Sequence, residues 1–348
     1  MKKITAIALL SIALISCKKE TKTITKTDPK TGKTITVEVP AEETAKAENA
    51  AIKDSLGIYK VNFKLEKGKT YPFTTYQRDL QTISNGTQSV TGTNESTDEM
   101  TFTVDGIDAK GNYDLSMILV GKRMQATSQG KTASIDTKGT APTEPQQKFM
   151  WAVQKAQTGN KLFIKMDKSG KILSIKGFEP IYKKIESAAL SVIKDAAQTK
   201  NFMEGFKKGF NEKFLKEEFG KNINILPAKG VKVGESWNDT QNVTPDGSVK
   251  ISTTYTLKSV DNGIAEIAIK GGIPRKANTQ SKNGLTHSLS LEGTQTGTIK
   301  LDANTGWILG SKLQLNSTEK ESLTDGKQSQ SMTKKSNSLV SINPNYKF

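Results

Sequence analysis

The sequence predicts an α+β protein that consists mostly of antiparallel sheet. Apolar and polar residues alternate through most of residues 59–135 and 249–315, as they do in strands with one buried face. Asn-Gly and Asp-x-x-Gly sequences separate these stretches and supply the geometry of tight turns. Between them, residues 181–219 change to the helical period of about 3.6 residues. We therefore expect two related antiparallel β halves that form curved sheets, with a central two-helix segment packed against them.

The first residues have the pattern of a secretory signal. A short cationic start precedes an uncharged run over residues 4–16, which is too short to cross a hydrocarbon core of ~30 Å permanently. Cys17 is the only cysteine and follows Leu14-Ile15-Ser16. This order resembles a bacterial lipobox, in which the cysteine is the site of lipidation by groups such as diacylglycerol and palmitate. The alternative is a buried cysteine behind an ordinary signal peptide.

The signal sets the expected location. Several acyl chains on Cys17 would make attachment effectively permanent, since one chain alone gives marginal binding. We therefore predict an outer-membrane protein with its membrane contact through the N-terminal lipid. Residues 18–20 partly resemble a surface-export signal but contain fewer acids. Periplasmic face and cell surface both stay open.

Composition restricts the partners. The chain has 348 residues, a formal net charge of +16 and 34% apolar residues, which makes its core lean. Its lysines are spread along the chain, as on a solvated surface, although such a charge also favours anionic partners. We expect no nucleic-acid partner, because no zinc-finger, RNP or helix-turn-helix signature appears. The sequence does not predict an oligomeric state.

The patterns divide the chain into segments. Residues 17–57 are polar and are predicted to be a flexible tether, with one marginal hairpin and a weak helix over 41–56. The tether follows the signal peptide over residues 1–16. After the tether we expect a first β-rich half over 58–177, with a short helix near 144–157, and then a helical segment over 178–226. A second β-rich half over 227–320 precedes a polar C-terminal tail over 321–348, which contains one edge strand near 338–342.

Three sequence features recur in the same order and indicate an internal duplication. A Gly-containing strand start at residues 67–71 is repeated at 233–237, and a strand that leads to a turn glycine at 100–111 is repeated at 252–263. A hairpin built on Asp167 and Gly170 is repeated on Asp302 and Gly306. The first copy is longer by about thirty residues, and much of this difference is the short helix.

These motifs, together with the lipobox, resemble an uncharacterised family of Bacteroidota lipoproteins that is catalogued as a domain of unknown function. The features carrying the resemblance are Lys67–Tyr71, Asp108–Gly111, Asp167–Gly170 and Val231–Trp237, in this order along the chain. The resemblance covers about residues 58–320. It implies no catalytic or binding residue.

The inventory of side chains argues against an enzyme. His287 is the only histidine, and Cys17 is taken by lipid, which excludes a Cys/His pair and a multi-histidine metal site. Leu285, Leu289 and Leu291 share one face of a predicted strand with His287, which favours a core or cavity-lining histidine. We expect no catalytic residue, no metal and no cofactor.

The helical segment contains the candidate ligand site. Four phenylalanines recur every four residues opposite a lysine-rich face: Phe202, Phe206, Phe210 and Phe214. If these helices do not fill the space under the curved sheet, the four rings and His287 would line an apolar cavity for a lipid or acyl chain. The prediction is thus a lipid-anchored, non-catalytic binding protein of the cell envelope. The alternatives are a structural or adaptor lipoprotein without a ligand, which docks an envelope partner through its basic surface, and an interfacial membrane helix.

Overall fold

The structure is a computed structural model that describes residues 21–27, 34–40, 50–193, 195–242, 247 and 249–348. It divides into two compact units, residues 1–49 and residues 50–348. In the first unit, β1 (Thr21–Thr27) pairs antiparallel with β2 (Thr34–Pro40), which is the predicted hairpin. Cys17 and the predicted signal lie outside the described residues, so lipidation stays a prediction.

One antiparallel sheet dominates the second unit, beside a small hairpin of β3 (Ile52–Ser55) and β4 (Ile58–Val61). The strands of the large sheet are β5 (Thr70–Asn85), β6 (Gln88–Ile107), β7 (Tyr113–Ser128), β8 (Lys131–Asp136), β9 (Lys161–Met166), β10 (Ile172–Lys176), β11 (Ser236–Asn242), β12 (Lys250–Asp261), β13 (Ile264–Lys282), β14 (Leu285–Asp302), β15 (Ile308–Thr324) and β16 (Ser329–Ile342). Their spatial order is β10-β9-β7-β6-β5-β16-β15-β14-β13-β12-β11, and β8 pairs with β7 beside β9.

The sheet confirms the two related antiparallel halves. The strands β11 to β15 are followed in space by β16 and then by β5, β6, β7, β9 and β10, so both halves run in the same direction across the sheet. Their first strands are fixed by equivalent bonds: the Gly68 amide donates to the Val104 carbonyl at 2.8 Å, and the Gly234 amide donates to the Leu257 carbonyl at 2.7 Å. The sequence repeat is therefore also a repeat of hydrogen bonds.

Residues 62–64 join the two halves at one end. The Phe63 amide donates to the Lys168 carbonyl at 2.7 Å, and the Lys64 amide donates to the Thr305 carbonyl at 3.0 Å. These carbonyls belong to the two repeated aspartate turns. Their glycines, Gly170 and Gly306, have φ of +90° and +82°, and a Cβ on either would lie within 3.1 Å of the Phe63 ring. Glycine is needed there for both conformation and space.

Helices pack on the first half. They are α1 (Pro145–Gln157), α2 (Phe178–Leu190), α3 (Ala196–Gly209) and α4 (Glu212–Ile223). The predicted two-helix segment is present as α3 and α4, with α2 before it. The four-residue spacing of Phe202, Phe206, Phe210 and Phe214 predicts one helix, but α3 ends at Gly209. The Asn211 side chain accepts from the Phe214 amide at 2.9 Å and caps the separate helix α4. Asparagine is among the preferred N-cap residues, and here it outweighs the periodicity.

The aromatic core lies between α4 and the sheet. Phe73, Phe102, Phe219 and Trp307 are all at most 6% exposed. The Phe219 ring centroid lies 5.4 Å from that of Phe102 and 5.9 Å from that of Phe73, and both pairs meet edge to face. The Trp307 ring packs on Phe102 from the second half at 5.3 Å. Phe219, which follows the four predicted phenylalanines in sequence, is therefore more deeply packed than any of them.

Two predicted segment bounds differ from the structure. The predicted tether includes residues 50–57, and the predicted weak helix includes residues 50–56, but Ile52–Ser55 form β3. Ile52 is 2% exposed, and its amide donates to the Ala303 carbonyl at 2.8 Å. The sequence predicts a polar tail over residues 321–348, but β16 lies within this range and pairs with both β5 and β15 in the centre of the sheet. A polar strand fits there because Ser and Thr suit a sheet face that meets water.

Candidate functional site

An apolar cavity of about 470 Å³ lies between the sheet and the helices and is partly open to solvent. Its floor comes from β5, β6, β7 and β9, and its roof comes from α1 to α4. Large apolar side chains line both surfaces: Phe73, Met100, Met117, Leu119, Leu162, Ile181, Phe206, Phe210, Phe214, Leu215 and Phe219. The space between sheet and helices is therefore not completely filled.

The floor changes from apolar to polar along the strands. Residues that pair across neighbouring strands share one face of the sheet, and three successive rows reach the cavity. These rows are Met117 with Leu162, then Phe73 with Met100 and Leu119, and then Thr75 with Asp98 and Lys122. The floor would suit a hydrocarbon chain along the first two rows and a polar head at the third.

The polar row contains an ion pair. Lys122 Nζ lies 3.1 Å from Asp98 Oδ2, and the two side chains are 21% and 29% exposed. Asp98 Oδ1 is buried and has no hydrogen-bond partner among the described residues. A buried acceptor without a donor costs roughly 1–3 kcal/mol, so this carboxylate gives the cavity a polar group with unused hydrogen-bonding capacity.

Three of the four predicted phenylalanines line the cavity. Phe206 and Phe210 lie 5.4 Å apart between ring centroids, and Phe214 follows at the start of α4 with 43% of its surface exposed. Phe202 does not line the cavity. Its ring packs on Phe149 of α1 at 5.5 Å and on Phe206 at 6.4 Å.

Two glycines of α3 keep space open in the roof. Gly205 and Gly209 line the cavity, and a Cβ built on either would meet no atom within 4 Å. Glycine inside a helix costs roughly 0.5–1 kcal/mol relative to alanine. Glycine at these two positions leaves open space beside the helix where a side chain would otherwise lie. Sequence reasoning from the phenylalanines alone missed both residues, although their spacing of four places them on one helical face.

Polar contacts hold the roof in position. The Tyr182 hydroxyl of α2 donates to the Phe210 carbonyl at 2.7 Å, and burial raises the pKa of Tyr182, with the nearby Glu179 contributing. In α4, Glu212 Oε1 lies 2.8 Å from Lys216 Nζ and accepts from the Ile175 amide of β10 at 3.2 Å. The bond from Lys216, followed by that from Ile175, lowers the pKa of Glu212.

His287 lies outside the cavity. The strand register places it on one sheet face with Leu285, Leu289 and Leu291, as predicted, but none of the described helices makes extensive contact with β14. Its side chain is 44% exposed, and Nε2 lies 2.7 Å from Glu321 Oε1. The prediction of a core or cavity-lining histidine is wrong, because β14 extends beyond the region that the helices cover.

The described residues also restrict other kinds of site. Among them, no group of three or more His, Cys, Asp or Glu side chains could hold a metal ion. In the same part of the chain, no helix is both long and apolar enough to cross a membrane.

Comparisons with known proteins identify a family. Residues 110–308 match the model of a family described as "Family of unknown function (DUF6263)", and no curated protein matches. A lipovitellin structure concerned with lipid–protein interactions has 10% identity and a TM-score of 0.37, and covers 80% of this chain and 25% of its own. An outer membrane channel from Pseudomonas putida F1 has 7% identity and a TM-score of 0.19, and covers 81% of this chain and 97% of its own. The chain spans a quarter of the lipovitellin chain, and both likenesses are too distant to indicate function.

Proposed function

This chain belongs to the DUF6263 family of unknown function, and we propose that it is a lipid-anchored, non-catalytic binding protein of the cell envelope. Its cavity takes the acyl chain of an amphiphile, and the polar row takes the head. The observation that carries this proposal is the cavity between sheet and helices, kept open by Gly205 and Gly209.

The size and lining of the cavity support an amphiphile. Small-molecule sites typically have volumes of ~300–1,000 Å³ with apolar walls and few polar groups, and about 470 Å³ falls in this range. Aromatic rings from the roof and aliphatic side chains from the floor face each other across it. The ion pair of Asp98 and Lys122 supplies the polar groups at one end of the floor.

Binding rather than catalysis is supported by the side chains in the cavity. Its charged residues are Asp98, Lys122 and Glu218, of which Asp98 and Lys122 pair with each other, and its lining contains no Ser, Cys or His. His287 pairs with Glu321 elsewhere on the sheet. The Asp98–Lys122 pair can position a polar head through charge-assisted hydrogen bonds.

The anchor and location are supported by the sequence alone. A lipid on Cys17 would place the protein at the outer membrane, on the periplasmic face or at the cell surface. The proposed membership of Bacteroidota lipoproteins has the same basis. Amphiphile binding next to a membrane gives such a protein direct access to its ligand.

The test fills the cavity without disturbing the core. In a chain of residues 18–348, which contains every described residue, Gly205→Leu adds four side-chain carbons at a position that lines the cavity. Gly220→Leu is the matched control, because Gly220 is also inside a helix, has no atom within 4 Å of a built Cβ, and does not line the cavity. Binding of a fluorescent fatty acid is measured by titration and by displacement with unlabelled lysophospholipid.

We expect Gly205→Leu to weaken probe binding by tenfold or more and Gly220→Leu to leave it unchanged. Mass spectrometry of the full protein from its own membrane should then show a co-purified amphiphile. Failure of the unsubstituted chain to bind the probe, or equal binding by both variants, would favour the structural or adaptor alternative.

A further inference from the structure

The junction of α3 and α4 forms a basic rim at the mouth of the cavity. We define this rim as Lys207, Lys208, Lys213 and Phe214. All three lysines are exposed, and Phe214 is 43% exposed although it also lines the cavity. Gly205 and Gly209, which are both exposed and line the cavity, lie directly beside it. The rim is therefore at the opening through which a ligand would pass.

The rim keeps a positive charge because two of the four glutamates near it form ion pairs with lysines outside the rim. Glu212 lies within it but is paired with Lys216 at 2.8 Å, and Glu218 lies 3.9 Å from Lys221. Glu204 and Glu217 stand one helical turn before Lys208 and after Lys213. Lys207 lies over the Tyr182 ring at 4.9 Å, a contact that retains its charge. The segment from 207 to 214 thus presents three cations and an exposed aromatic ring.

Exposed phenylalanine beside lysines is the pattern of a surface that rests on anionic lipid. The ring enters the boundary between head groups and acyl chains, and the lysines remain at the level of the lipid phosphates. If the mouth of the cavity rests on a membrane, an amphiphile can move between the membrane and the cavity without exposing its acyl chain to water.

We propose that the rim docks on an anionic lipid surface and that this contact loads and unloads the cavity. The loading step rests on the proposed function of the cavity. Docking on lipid does not depend on that function and is measured separately.

Docking is tested with vesicles of phosphatidylcholine alone and with one third phosphatidylglycerol, using the 18–348 chain without its proposed lipid. The chain should partition more strongly to the anionic vesicles, and less so as salt is raised. A lysine near an anionic surface contributes about 1 kcal/mol, so Lys208→Glu with Lys213→Glu should lower partitioning by at least about 25-fold. The matched control is Lys320→Glu with Lys335→Glu, since both lysines are exposed on the opposite face of the sheet.

The aromatic part of the rim has its own control. Phe214→Ala should reduce partitioning severalfold, whereas Phe163→Ala, which truncates a ring that is 52% exposed on the outer face of β9, should have no effect. Equal losses in the rim and control variants would overturn the docking proposal. Equal partitioning to both kinds of vesicle would overturn it as well.

The two proposals fail in different ways. If the cavity holds an amphiphile and the rim docks, Lys208→Glu with Lys213→Glu retains binding of the dissolved fatty-acid probe but slows its transfer from anionic vesicles. Fast transfer despite lost docking would overturn the loading step. Vesicle binding without any probe binding would overturn the cavity function and leave docking as a property of the surface.

Discussion

Truncation of two phenylalanines of the roof, Phe206 and Phe219, distinguishes a cavity from a filled core. Phe219 is 6% exposed and lies edge to face with two buried rings, so Phe219→Ala should lower the free energy of unfolding by ~3–5 kcal/mol. Phe206 is only partly buried and faces the cavity, with its closest ring, Phe210, at 5.4 Å. Since much of the Phe206 ring faces open space rather than closely packed atoms, Phe206→Ala should cost less than Phe219→Ala, below ~3 kcal/mol.

The measurement is urea unfolding of the 18–348 chain, followed by tryptophan fluorescence. All three tryptophans, Trp151, Trp237 and Trp307, lie in the unit of residues 50–348, so the signal reports on this unit alone. The slopes of the transitions must stay equal for the midpoints to be compared. Probe binding is measured on the same samples.

A cavity predicts that Phe206→Ala loses much of its probe binding at small cost in stability, and that Phe219→Ala shows the larger loss of stability. A loss of 3 kcal/mol or more for Phe206→Ala with unchanged probe binding would refute the cavity, because the ring would then be part of a closely packed core.

Three further outcomes are expected. Cys17→Ser should leave a precursor that incorporates no fatty-acid analogue, and equal labelling of both forms would contradict lipidation. Limited proteolysis should leave a resistant fragment that starts near Ala50, because Ile52 is buried, and N-terminal sequencing checks this start. Bonds from Asn112, followed by that from Lys165, hold the pKa of Asp108 below its ordinary value of 3.8. The ionised Asp108 carboxylate therefore stabilises the folded state fully at pH values above 3.8, and this stabilisation falls as the pH drops below 3.8. Asp108→Asn should remove this dependence and flatten the acid side of a curve of melting temperature against pH.

The repeated motifs predicted the sheet well because they lie in turns. A turn glycine such as Gly170 or Gly306 is required by its positive φ, and this requirement is local in sequence. The Phe63 ring that packs against both glycines comes from a distant part of the chain. Strand alternation likewise identified the correct faces, including the shared face of Leu285 and His287. Whether a face is covered depends on the length of the strands relative to the helices, which no local pattern contains.

The misjudged elements share a non-local cause. β16 is polar along most of its length, and its central position depends on pairing with β5, more than 200 residues away in sequence. The burial of Ile52 depends on a backbone bond to Ala303 in the second half. The cavity itself was predicted only as one of two outcomes, since the volume left between rings depends on packing that periodicity does not specify.

The duplication explains where the site lies. In the second half, β13 continues into β14 through a turn that contains Gly284, whereas in the first half residues 129–160 separate β7 from β9 and contain β8 and α1. The helices α2 to α4 follow the first half, and the described residues after β15 contain the strand β16 and no equivalent helices. All cavity residues come from these additions and from β5, β6, β7 and β9. The repeated strands therefore form the sheet that supports the cavity, and the helices α1 to α4, which only the first copy has, complete the cavity. It follows that changes in ligand preference should arise from the helices and the row of Asp98, while changes in β11 to β15 should alter stability without altering binding.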